Sequence, residues 1–170
     1  MKRPEKNEYA GFYETYVSLV FETDIILALK NQHEDLVDIF SKITEEKGLF
    51  AYAEGKWTIK ELLGHLIDGE RVFAYRALRI ARGDQTPLAG FDQDPYVENG
   101  NFNSSKLADL IEELLQLRSA NILMFNNLTP NSWDNFGTAS ENKVTTRALA
   151  YIMVGHIQHH LNILREKYLS

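Results

Sequence analysis

The stretch Thr145–Leu164, TTRALAYIMVGHIQHHLNIL, decides how the chain is read, because it holds His156, His159 and His160, three of the 5 histidines present. Wound as an α-helix at about 100° per residue with His156 at the origin, it puts His160 at about 40° and His159 at about 300°. Leu149, Ile152, Met153, Ile163 and Leu164 spread between about −40° and 80° on the same wheel. His156 and His160 therefore rise from the middle of the apolar face, and His159 from its shoulder. Gln158, Asn162 and Arg165 take the far side. A buried imidazole must be hydrogen-bonded or metal-bound, since an unsatisfied polar group is costly to bury. The i, i+4 spacing brings both rings within reach of one ion. A pair of core histidines bonded to carboxylates of the bundle is the other reading.

Working outward, three more segments carry the same 3.6-residue periodicity, and strand alternation is scarce. The first runs from about Asp24 to Glu46, with Ile25, Ile26, Leu29, Leu36, Ile39, Phe40 and Ile43 on one stripe; Tyr13–Phe21 reads as a short helix before it. The second runs from Thr58 to Arg82 and opens with Thr58 and Glu61 in capping-box register. The third runs from Ser104 to Leu128, short of Pro130, and the fourth from Thr145 to Tyr168. Four amphipathic helices predict an all-α, four-helix bundle, and 170 residues predict a single domain over 1–170. Between the second and third helices, 83–103 (GDQTPLAGFDQDPYVENGNFN) reads as a long loop, a strap packed on the bundle, a lid over a substrate, or both.

Composition removes several functions. A net charge of −6 argues against nucleic acid and against an anionic membrane surface. With Cys 0 there are no disulfides, thiolate metal sites or cysteine nucleophiles. MKRPEK is followed by NEYAGFYETY, not by an apolar core, so no signal peptide is expected; nor does any apolar run reach membrane-spanning length, and the expected location is the cytoplasm. Gly-rich phosphate loops, a GxSxG elbow and a Walker lysine are absent. A di-iron site needs Glu-x-x-His motifs, and Glu54 and Glu61 stand at other spacings before His65.

His65 supplies the third ligand. On the second helix it falls at the edge of the apolar side, where a cleft between helices opens, and Gly69 one turn on leaves room beside it. Three nitrogens from two helices plus an open position suit a catalytic metal site. Asp68 and Glu70 are candidate catalytic carboxylates, orienting a histidine or acting as base, with ion pairs to Arg71, Arg76 or Arg79 as the bland alternative. His33, among Gln32, Glu34 and Asp35, reads as solvated.

GKWTIKELLGHLIDGERVFAYRALRIARGDQTPLAGFDQD (55–94), followed by TTRALAYIMVGHIQHHLNIL, closely resembles the DinB/YfiT-like superfamily over nearly the whole chain. The resemblance implies a four-helix bundle with long crossover connections, common homodimers, and one divalent metal (zinc or nickel) on His65, His156 and His160. His159 falls on an extra family-like histidine that lines the pocket or bonds a ligand. Relatives transfer low-molecular-weight thiols, isomerise maleylpyruvate with a thiol, or are described as metal-dependent hydrolases. The expected function is therefore a mononuclear metalloenzyme that transfers such a thiol to an electrophile or hydrolyses a small substrate, with Arg76 or Arg147 as a cationic contact. The alternative is a non-catalytic bundle whose metal is structural or adventitious, serving as a binding or dimerisation module.

Overall fold

The computed structural model describes residues 2–170. Its helices are α1 (Glu14–Val17), α2 (Ile25–Phe40), α3 (Ile59–Ala81), α4 (Gln93–Gly100), α5 (Leu107–Asn126) and α6 (Thr146–Ile163). The four long ones form the bundle. Going round it, α2 packs on α5, α5 on α3, α3 on α6 and α6 on α2, so the sequence neighbours α2 and α3 lie across a diagonal.

Local chemistry sets the ends. Thr58 Oγ1 accepts from Glu61 N at 3.1 Å and Glu61 Oε2 from Thr58 N at 2.8 Å, the reciprocal cap its sequence predicts. Asp24 caps α2 through the amides of Ile26 and Leu27. α2 stops at Phe40, six residues before the expected end, where Ser41 Oγ turns back to the Asp38 carbonyl at 3.0 Å and Thr44 Oγ1 accepts from Lys47 N at 3.2 Å. Such local side-chain bonds compete with the helical ladder. α5 starts later than expected because its cap is remote. Lys106 makes no side-chain cap, and Glu45, ion-paired to the buried Lys60, accepts from Leu107 N at 2.8 Å.

The 83–103 connection is not a structureless loop. Asp92 accepts from Asp94 N at 3.2 Å and opens α4, which ends at Asn101 in the left-handed region (φ 49°). Upstream, Leu88 bonds the hairpin β1 (Phe136–Ala139) and β2 (Asn142–Thr145) through Thr138 O at 2.8 Å and Ser140 N at 3.0 Å. That hairpin turns on Ser140 and Glu141, at φ 49° and 63°, a conformation usually signalled by Asn-Gly or Gly.

A polar layer divides the core. Ala28 and Leu29, Phe73 and Ala77, Phe125, and Leu149–Val154 pack in one apolar cluster. Leu36, Leu63 and Leu66, Leu110 and Leu114, and Ile157 and Leu161 pack in the other. Between them, one or more residues from each long helix are polar and buried: Gln32, Glu70, Arg118, Asn121 and His156. Arg118, 0% exposed, donates through Nε to Glu70 Oε1 (2.8 Å), through Nη2 to Glu70 Oε2 (2.9 Å) and through Nη1 to Gln32 Oε1 (2.8 Å). Asn121 Nδ2 donates to Glu70 Oε1 at 3.0 Å, and Gln32 Nε2 to the Val154 carbonyl at 2.9 Å. Each charge in this layer is matched, as a buried ion pair requires.

Candidate metal centre

His65 projects from α3 and His156 and His160 from successive turns of α6, and the packing of α3 on α6 brings the three together. His65 Nε2 lies 2.9 Å from His156 Nε2 and 3.1 Å from His160 Nε2. A tetrahedral zinc at about 2.1 Å from each nitrogen separates its ligand nitrogens by roughly 3.4 Å, so the two separations from His65 fall short of that spacing by about half an ångström or less. This is the one group of potential metal ligands among the described residues.

The donors suit a cation electrostatically. Burial holds His65 down at about 4 and His160 at about 3, against an ordinary 6.5, and holds His156 well below that value. Repulsion among the rings adds to the effect on His156 and His160, while the Asp94 carboxylate opposes it on His65. All three imidazoles are therefore neutral at pH 7 with lone pairs to offer. Rings fix their orientation. Trp57 sits 5.0 Å from His65, Phe73 lies 5.5 Å from His156, and Tyr16 meets His156 edge-on at 5.3 Å.

Two glycines make this packing possible. A Cβ on Gly69 would stand 2.9 Å from His156 Cε1, so the space expected beside His65 is filled by the His156 ring. A Cβ on Gly155 would stand 2.1 Å from the Tyr16 carbonyl oxygen, so its absence lets α1 lie against α6.

The histidines are reached from two sides. A cavity of about 560 Å³ is lined by the largely buried His65 and His156 and by His159, with Phe12, Tyr13, Tyr16 and the 91–94 segment around it. A second, of about 500 Å³, exposes His160 with Trp57, Tyr52 and Tyr168. Asp94 lines both.

Of the other expected site residues, His159 reaches a cavity and the rest lie away from both. Glu70 spends both carboxylate oxygens on Arg118 and Asn121 and lines neither cavity, because its direction on α3 points into the polar layer. Asp68 is half-buried near Arg71 and Glu113; burial raises its pKa, Arg71 opposes and Glu113 adds. Arg76, 3% exposed, donates to the Ala89 carbonyl (2.7 Å) and Ser140 Oγ (3.0 Å), holding the strap to the hairpin and lining neither cavity. Arg147 is ion-paired to Glu8 and Asp134. His33 meets Ser119 Oγ at 3.2 Å, away from the cluster. His159 lines the first cavity, with its ring 5.1 Å from that of His160. Sequence reading missed Tyr16, Phe73 and Asp94 at the site. The aromatic density of Phe12–Tyr16 and the acidic FDQD of the connection were the available signals.

Fold and site together define a helical bundle organised around three convergent histidines. The chain belongs to the DinB superfamily, whose family model matches residues 28–164. Among solved structures it is similar to YfiT from Bacillus subtilis, a "probable metal-dependent hydrolase with an unusual four-helix bundle topology", with TM-score 0.70 and 14% identity over 97% of this chain and 91% of that one. It is also similar to a mycothiol-dependent maleylpyruvate isomerase, with TM-score 0.67 and 10% identity, covering 81% of this chain and 58% of the other. No curated protein matches its sequence.

Proposed function

We propose that the chain is a single-metal enzyme in which His65, His156 and His160 hold a divalent ion, zinc or nickel, and that it transfers a low-molecular-weight thiol to an electrophile or hydrolyses a small substrate. One observation carries the reading: three neutral imidazole nitrogens converge between two aromatic-walled cavities, His65 and His156 lining one and His160 the other. A structural zinc site is closed by four protein ligands, whereas three with space beside them match the catalytic arrangement. The fold neighbours, a probable metal-dependent hydrolase and a mycothiol-dependent maleylpyruvate isomerase, are compatible with either chemistry.

When bound, the ion supplies a lowered pKa to a coordinated water or thiol and so a nucleophile near neutral pH. The chain's own groups do the rest. Trp57, Tyr16 and Phe73 hold the imidazoles in register and keep water from their flanks. His159, at the cavity wall, is placed to bond a reactant or pass a proton. Glu70 acts through the fold and not on the reactants.

Elemental analysis of protein purified without a histidine tag or a nickel column tests the reading. About one equivalent of metal per chain, lost in His156→Ala/His160→Ala with helicity retained, is the expected result. A folded protein that takes up neither zinc nor nickel would overturn it. Full metal content in the double variant would move the site elsewhere.

A further inference from the structure

The larger cavity draws aromatic rings from three parts of the chain. Phe12, Tyr13 and Tyr16 come from the N-terminal segment, Phe73 from α3 and Phe91 from the strap. Its fixed charges are Asp92 and Asp94, and no lysine or arginine lines it among the described residues. Asp92 accepts from Asp94 N through one oxygen, and neither carboxylate has a cationic partner among the described residues. Aromatic faces attract a cation by their quadrupole, and a desolvated quaternary ammonium among several rings gains most from it. Unpaired carboxylates beside the rings add attraction for a cation and repel an anion.

We propose that the substrate or co-substrate of this site carries a cationic group, a quaternary or protonated ammonium, seated among these rings against Asp92 and Asp94. The inference deepens the metalloenzyme reading and rests on it for where reaction occurs. Two positive charges stand nearby, and neither displaces it. The Arg76 guanidinium stands 5.9 Å from the centre of the Phe91 ring, with Nη2 engaged by the Ala89 carbonyl and Ser140 Oγ and its charge felt by the Tyr13 hydroxyl, but it is not itself among the residues lining the cavity. A divalent ion on the histidines is matched in number by the two carboxylates, which leaves the ring faces to set the preference. A ligand rich in carboxylates finds no lysine or arginine in the lining to pair with.

The test uses the zinc-loaded full chain and three probes of nearly one shape: choline, its neutral isostere 3,3-dimethylbutan-1-ol, and the anion 3,3-dimethylbutanoate. Calorimetric or NMR titration should show choline binding at least roughly tenfold tighter than the alcohol, with the anion weakest. Asp92→Asn/Asp94→Asn, which keeps an N-cap at 92, should bring choline to the level of the alcohol with zinc content and circular dichroism unchanged. If the double variant does not fold, Asp94→Asn carries the comparison, since the Asp94 side chain makes no hydrogen bond to the described residues. Choline binding no tighter than the alcohol, or a preference that survives the substitutions, overturns the inference. A double variant that loses zinc affinity but keeps the choline preference also overturns it, by assigning the carboxylates to the metal. The two readings fail separately. A chain that binds no zinc yet keeps a carboxylate-dependent choline preference sinks the metal alone, and full zinc without that preference sinks the cation alone.

Discussion

At the scale of single residues, Gly69 shows how little room the site has. Its missing Cβ is the space that the His156 ring occupies, and that ring is held on its other sides by Tyr16 and Phe73. Gly69→Ala should leave the helix as stable or firmer, since alanine is the better helix former by about 1 kcal/mol. Zinc affinity should nevertheless fall about 10- to 100-fold, the loss typical when a neighbour that orients a ligand is disturbed. Competition with a chromophoric chelator measures the affinity, and unchanged binding would show that the ring has slack. The convergence of the three histidines was legible in the sequence, because helical spacing puts His156 and His160 on the apolar face and His65 at the edge of its own. The fate of Glu70 was not. Its partner Arg118 stands 48 residues further along the chain, and nothing local reveals which of several arginines will meet it.

Elements were legible where their signals are local. The capping box of α3, Asp24 before α2 and the apolar stripes all announced themselves, whereas α5 begins at a point set by Glu45, 62 residues away from the amide it caps. α4 was hidden by its own punctuation. Pro95 and Gly100 look like loop residues, yet a proline in the first turn and a glycine at the end are what a short helix tolerates. The hairpin was hidden because its left-handed turn residues are Ser140 and Glu141. α4 depends on Asp92, so Asp92→Ala should cost about 1 kcal/mol of local stability. Hydrogen exchange should then quicken in 93–100 and leave α3 and α6 unaffected. Uniform acceleration across the bundle would instead show that α4 and the bundle open together.

For the molecule as a whole, the buried histidines set an acid limit. In metal-free protein the unfolded chain takes up protons near 6.5, while folded His65 does so only at about 4 and His160 at about 3. Below pH 6.5 the unfolded state binds more protons, so stability falls as the pH drops through that window. Urea midpoints of chelator-treated protein should decline between about pH 7 and pH 5, and a flat profile would show that the rings protonate within the fold. The polar layer has a different consequence. Burying Glu70 and Arg118 contributes little net stability, because apolar replacements of similar volume often do as well or better. Its value is positional. A slide of α3 by a single turn, about 5.4 Å, would face Arg118 with Leu66 and Ile67 or with Phe73 and Ala74 and part it from Glu70. Glu70→Leu/Arg118→Met should therefore melt no lower than the parent but bind zinc less tightly, with broadened histidine NMR signals; tight binding with sharp signals would dismiss the idea. The layer works as the graduation on a sliding rule. It stops α3 and α6 at the one mark where three imidazoles coincide.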